Sequence, residues 1–191
     1  RGGLSFDVVN RSHWMPFPRS LSSSQLLSSY RRLRSIIQAG NYDLIHCHTP
    51  IPSALTRLAA RNCREKGGKI LYTAHGFHFY RGAPIKNWLL YYPAEWLLSL
   101  FTDGIITINR EDFGYINGKM WHKKSFLMPG IGVQTERFQP ASAEKRQEVR
   151  RTLGFAENDF LLLYIGEFIP RKNHRFLIEA ASDLVEVIPN L

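Results

Sequence analysis

Four histidines carry the first chemical signal in this chain. His46 and His48 stand two residues apart at the end of Tyr42-Asp-Leu-Ile-His46-Cys-His48, and His75 and His78 close the run Lys69-Ile-Leu-Tyr-Thr-Ala-His75-Gly76-Phe-His78. An imidazole in such a place can hydrogen-bond a substrate hydroxyl, or take part in its deprotonation, near neutral pH. Two other readings are open from the residues alone. One is a histidine that closes a strand through a hydrogen bond; the other is a set of imidazole ligands in a metal-dependent hydrolase. A hydrolase site also needs carboxylate or further histidine ligands at later strand ends, where this chain offers Asn109 and Pro129-Gly130. The second signal is Gly166-Glu167-Phe-Ile-Pro-Arg171-Lys172-Asn173. A glycine after an apolar run, followed by paired cations at a predicted helix start, is a recipe for a phosphate seat, although no Walker-type spacing is present.

The elements that must position these groups follow from periodicity. Residues 69–74 read as a strand that delivers His75 to its C-terminal end, the edge at which ligands of open α/β sheets sit. Residues 42–48 read as a strand whose alternation sends His46 and His48 to one side and Ile45 and Cys47 to the other. Pro52 suits the first turn of a helix expected to run to about Lys66 and close at Gly67-Gly68. A β-α-β unit is then complete within about 35 residues, the spacing of a parallel crossover. Upstream, residues 4–9 predict a short strand. Leu26, Tyr30, Leu33 and Ile37 predict an amphipathic helix, with Ser22 and Gln25 as a capping box and Gly40 at C′. Downstream, the stretch from Ile85 to Phe101 is apolar nearly all round, which predicts a buried helix. Its rival reading is an interfacial helix with Trp88, Tyr91, Tyr92 and Trp96 at lipid headgroups. Strands are expected at 104–109 and 125–128, a short helix at 111–118, and a linker from Pro129 to Pro140. Beyond it come a charged helix at 142–152, an apolar strand from Phe160 to Ile165 and a helix from about His174 to Val187. No G-x-G-x-x-G occurs.

The fold class expected is α/β. Residues 1–139 would form a Rossmann-like parallel sheet with flanking helices, and 140–191 the first βα unit of a second such domain. Of the 191 residues 44% are hydrophobic, enough for a core, while no apolar run reaches the ~20 residues of a spanning helix. No signal-peptide layout opens the chain, and two cysteines, Cys47 and Cys63, are too few for a disulfide framework. A cytoplasmic protein is expected. The net charge of +9 favours phosphate-bearing partners such as nucleic acid, nucleotides or an anionic membrane. Arg31, Arg32 and Arg34 share the first helix, and Arg57, Arg61 and Arg64 make a stripe at i, i+4 and i+7 on the second. Such faces are solvated, or, for Arg31, Arg32, Arg57 and Arg61, contact an anionic membrane.

Taken in order, Asp43-Leu-Ile-His46-Cys-His48-Thr-Pro, 55–61, Tyr72-Thr-Ala-His75-Gly76-Phe-His78-Phe-Tyr, 86–92, 106–112, 129–138 and Gly166-Glu-Phe-Ile-Pro-Arg171-Lys172-Asn-His174 resemble the retaining glycosyltransferases of family 4. These have the GT-B architecture of two Rossmann-like domains, and the likeness is strongest to bacterial enzymes that build capsule, exopolysaccharide or other cell-surface glycans. The resemblance implies transfer of a sugar from a nucleotide-diphosphate donor to a glycan or lipid-linked acceptor, at an anionic membrane surface, with no required metal or other cofactor and no nucleic-acid partner. It implies His75 as the catalytic histidine, Gly166, Arg171 and Lys172 as the donor-phosphate site, and His46, His48, Gly76, His78 and Arg81 around the acceptor. Many relatives have arginine directly after the glycine where this chain has Glu167, which leaves Lys172, with Arg171 as a substitute, to supply the charge. The family's glycine-rich loop would lie upstream of Arg1 and its acidic E-x7-E stretch downstream of Leu191, so the 191 residues alone are expected to be inactive. A non-catalytic nucleotide-sugar-binding module is the remaining alternative.

Overall fold

A computed structural model describes residues 11–17, 24–130 and 132–188. The strand expected at 4–9 and Ser22 of the expected capping box lie outside the described residues. The chain divides into two compact units, Arg1–Gly132 and Val133–Leu191.

The first unit is a parallel sheet with helices packed on one face. Helix α1 (Gln25–Gly40) leads into β1 (Leu44–His48), α2 (Pro50–Ala59) and a 3-10 segment (Arg61–Lys66) into β2 (Lys69–Ala74), α3 (Ile85–Ser99) into β3 (Gly104–Thr107), and α4 (Arg110–Ile116) into β4 (Lys124–Leu127). The order is β1-β2-β3-β4, every pair parallel, with His46 opposite Leu71 and His48 opposite Thr73. Parallel neighbours need crossover connections, which these helices are. Cys47, Tyr72, Ala74 and Ile105 point into a core shared with Phe77, Phe79 and Ile116 and flanked by Trp88, Tyr91 and Tyr92 of α3. Ile70 of the same face packs with Ile37 of α1 and Ala59 of α2. Alternation then puts His46, His48 and Thr73 on the face away from the helices.

Local chemistry moves several boundaries. Gly40 is the last residue of α1, and Asn41 (φ 44°) takes the left-handed capping position expected of it, a conformation asparagine tolerates. The second helix is α-helical only to Ala59; the rest tightens to 3-10 and ends at Gly67 (φ 92°), whose N–H bonds the Arg64 carbonyl. Asn109, expected inside β3, instead caps α4.

Two corrections concern burial. Arg57, read as part of an exposed stripe, is fully buried. Its Nη1 pairs with Glu95 Oε2 at 2.8 Å, its guanidinium lies 4.3 Å from the centre of the Tyr72 ring, and its Nε donates to the Ser53 carbonyl. Of the stripe only Arg61 is exposed: the Arg57 charge enters the core because a partner on α3 and an aromatic face on β2 receive it there. Arg64 is likewise spent on Asp103, whose carboxylate also accepts the Ile70 N–H. Burial opposes ionisation of Asp103, yet that N–H, Arg64 and Lys123 together hold its carboxyl below the usual carboxylate range. The second correction is α3, which is not buried all round. Trp88, Tyr91 and Tyr92 turn inward, while Ile85, Leu89, Leu90 and Leu97 are exposed, because a single layer of neighbours can cover only one side of the helix.

The second unit holds α5 (Ala143–Thr152), a 3-10 turn (Pro170–Lys172) and α6 (His174–Val185). Ser142 caps α5 by accepting the Lys145 N–H. Residues 160–165, expected to be a strand, are extended but unpaired, with Leu163 and Ile165 each 84% exposed. A strand is defined by its ladder, and no second strand exists among the described residues of this unit to complete one.

Replacing Glu95 with Gln strands the buried guanidinium and is expected to lower stability by about 3 to 5 kcal/mol. The double replacement Arg57→Met, Glu95→Leu removes both charges and is expected to cost markedly less. Urea unfolding of the full-length protein and both variants measures the difference.

Candidate active site

β1 and β2 run side by side and end at the same edge, so their terminal histidines converge. His46 Nε2 bonds the Thr73 hydroxyl at 2.8 Å, and His48 Nδ1 lies 3.1 Å from His75 Nε2. The His46 and His48 rings are 4.3 Å apart and the His48 and His75 rings 5.3 Å apart. Three imidazoles thus form one stack across the strand ends. Burial first, then the charges of His48 and His75, push the His46 pKa below the ordinary histidine value. Charge on His46 is thus opposed both by its surroundings and by the two rings beside it.

The chain leaves both strands under constraint. After His48, Thr49 adopts φ 66° and its carbonyl receives the Ser53 N–H, which turns the chain abruptly into α2. After His75, Gly76 adopts φ 138°, while no atom stands within 4 Å of where a Cβ would lie. Backbone conformation, not room, demands glycine there. The loop beyond is anchored from beneath and behind. Phe77 and Phe79 are buried and stack with ring centres 4.6 Å apart, and the intervening His78 lies outside against Tyr91. Asn87 donates to the His78 carbonyl, the Phe77 N–H to Asp112 and the Arg81 N–H to Glu111. Asp112 is itself held by the Asn109 side chain. Burial raises its pKa against the lowering effect of those two donors.

The predicted residues therefore fall into three groups. His46, His48 and His75 meet, with Gly76 supplying the turn beside them. His78 and Arg81 lie farther along the same loop, Arg81 bonded through its backbone. Gly166 and Lys172 belong to the second unit. There the Tyr164 hydroxyl donates to the Lys172 carbonyl, and His174 stands between the rings of Tyr164 and Phe168. Asn173 (φ 49°) separates the 3-10 turn from α6. Among the described residues no carboxylate is within ion-pair distance of the half-buried Lys172. The side chain of Arg171 lies outside the described residues.

The structural roles of Thr73, Asn109, Glu111 and Asp112 escaped the sequence reading. The spacing Asn109-x-x-Asp112 is a helix-start signal, but that Asp112 would reach back to Phe77 could not be seen in it. Among the described residues no group of three or more His, Cys, Asp or Glu side chains is arranged to hold a metal ion.

The model of Glycosyltransferase Family 4 matches residues 1–116. The chain is 48% identical over 193 residues to "Putative glycosyltransferase EpsD" of Bacillus subtilis (strain 168), an alignment covering 100% of this chain and 50% of that protein. It is 27% identical over 170 residues to the UDP-Gal:alpha-D-GlcNAc-diphosphoundecaprenol alpha-1,3-galactosyltransferase of Escherichia coli, covering 88% of this chain and 43% of that one. The chain spans about half the length of the curated relatives it matches.

Because the folded protein favours neutral His46, its contribution to stability is complete above the ordinary histidine pKa of about 6.5 and is lost as pH falls through the lower folded value. NMR titration of the full-length protein is expected to show His46 titrating below that value and moving upward in His48→Ala. An ordinary titration, unchanged in the variant, would contradict the stack.

Proposed function

Since the chain belongs to glycosyltransferase family 4, we propose that the full-length protein is a retaining glycosyltransferase moving a sugar from a nucleotide-diphosphate donor to a lipid-linked or glycan acceptor in the synthesis of a cell-surface polysaccharide such as an exopolysaccharide or capsule. The observation that carries this reading is the hydrogen-bonded His48–His75 pair, exposed at the C-terminal edge of the sheet within the family-matching segment. The galactosyltransferase relative, named for a nucleotide-diphosphate sugar and a diphosphoundecaprenol acceptor, supports the donor and acceptor classes.

In the reaction the bond from the anomeric carbon to the diphosphate breaks, a bond to the acceptor oxygen forms, and the proton of the acceptor hydroxyl passes to the departing diphosphate. His75 uses Nε2 on His48, which fixes its ring and leaves Nδ1 to position a hydroxyl of acceptor or sugar beside the anomeric carbon. His46 and His48 build the wall behind it, and Gly76, His78 and Arg81 the rim on the acceptor side. Lys172, with Arg171 and the loop opened by Gly166, stabilises the negative charge that develops on the departing diphosphate. No metal or other cofactor enters this scheme, and nucleic acid is not a partner. The protein would work at the cytoplasmic face of the membrane, held peripherally through exposed cations such as Arg31, Arg32 and Arg61.

With a donor found by screening nucleotide-diphosphate sugars against the full-length protein, His75→Ala is expected to lower turnover about 10²-fold or more without unfolding. Near-normal turnover would return His75 to a structural role, and no turnover of any donor by wild-type protein would favour a non-catalytic binding module. Lys172→Ala is expected to remove roughly 2 to 4 kcal/mol of transition-state stabilisation and to weaken nucleoside-diphosphate binding in calorimetry, with Arg171→Ala milder. Unchanged affinity in Lys172→Ala would place the phosphates elsewhere.

A further inference from the structure

Three acids are buried among the described residues, and two of them have a cation beside them. Glu95 pairs with Arg57, and Asp103 with Arg64 and Lys123. Asp112, 3% exposed, has no ion pair among the described residues. A carboxylate taken out of water without a counter-charge is costly unless good donors meet it. Its Oδ2 accepts from the Phe77 N–H at 3.3 Å and from the Asn109 side-chain amide at 2.8 Å. The start of α4 does not need that carboxylate as a cap, because Asn109 Oδ1 already accepts the Asp112 N–H at 2.8 Å. The dipole of the short helix offsets part of the burial cost. What the side chain reaches is the residue two past His75.

That residue is where the histidine edge needs holding. His46 and His48 lie inside β1, and pairing with β2 fixes their backbone. His75 lies one residue beyond the end of β2 and is followed by Gly76, whose φ of 138° favours glycine and whose missing Cβ has no neighbour within 4 Å. The Phe77 N–H belongs to the peptide plane that rotation about the Gly76 ψ bond turns, so a bond to that N–H fixes the torsion that glycine leaves free. The Phe77 ring, buried and stacked on Phe79, sets the depth of the turn, and the bond to Asp112 sets its rotation. Glu111, next to Asp112 on the same helical turn, accepts the Arg81 N–H and the Tyr115 hydroxyl. Neighbouring residues of α4 therefore hold both ends of the stretch 77–81.

We propose that Asp112 is a positioning residue of the transferase: through the Phe77 N–H it sets the turn at Gly76 and so aims the His75 imidazole. It touches no substrate and acts through His75 alone. The proposal rests on the transferase reading for its kinetic consequence and not for its effect on the ring.

The test uses full-length protein and the donor found by the screen above. Asp112→Ala is expected to lower kcat roughly 10- to 10²-fold with little change in the donor KM. Asp112→Asn keeps an acceptor oxygen and is expected to regain most of that loss. Asn109→Ser keeps a hydroxyl to cap α4 but removes the amide that holds the carboxylate; a smaller loss of the same kind is expected, and this variant serves if Asp112→Ala does not fold. In a His75→Ala background neither substitution should lower the residual rate further, because positioning is lost with the ring that is positioned. Equal losses in both backgrounds would mean a merely structural role and overturn the proposal, as would wild-type kcat in Asp112→Ala. Histidine ring signals in NMR give a readout without turnover. Those of His75 are expected to move in Asp112→Ala and to return toward wild type in Asp112→Asn. Unmoved His75 signals overturn the proposal whatever the rates, whereas moved signals in a protein that turns over no donor would sink the transferase reading alone.

Discussion

The geometry of the histidine edge depends on a charge held where charges are costly. Arg57 and Glu95 form an ion pair in the core beneath Tyr72, and removing either from water carries a penalty of several kcal/mol that their attraction must offset. The arrangement joins three elements at once: α2, which leaves β1 one residue after His48; α3, which carries the chain on from the His75 loop; and β2 between them. A hydrophobic contact in the same place would tolerate sliding by an ångström or more. The paired guanidinium instead ties α2 to α3 through a 2.8 Å charge contact and to β2 through its place over the Tyr72 ring.

From that anchor the rest of the site is built by short-range constraints. Thr49 and Gly76 adopt positive φ at the two strand exits, and Phe77 and Phe79 fix the second exit into the core. Asp112 and Glu111 reach from α4 to backbone N–H groups on the same loop. The histidines therefore meet in a geometry that the backbone enforces.

Much of this was legible in the residues. Alternation in Leu44-Ile-His-Cys-His48 separated the histidines from Cys47, and the β-α-β spacing implied that the two strands would lie parallel with their ends together. Arg57 was illegible because its spacing with Arg61 and Arg64 imitates a solvated stripe, and only a partner far along the chain reverses that reading. Glu95, the single acid in an apolar helix, was the available signal. The face of α3 was misread because average hydrophobicity does not say which side has neighbours: the aromatics went inward and the aliphatics outward. Residues 160–165 carry strand chemistry, but pairing belongs to two segments, and propensity in one cannot supply the other.

In the proposed transferase His48 and His75 act as one unit beside the sugar being transferred. A double-mutant cycle on kcat/KM, using His48→Ala, His75→Ala and the double variant of the full-length protein with its donor, addresses it most directly. Coupling through the 3.1 Å contact predicts that the double variant is scarcely worse than His75→Ala alone. Losses that simply add would mean that the two rings serve independently, and that their hydrogen bond is incidental to the chemistry.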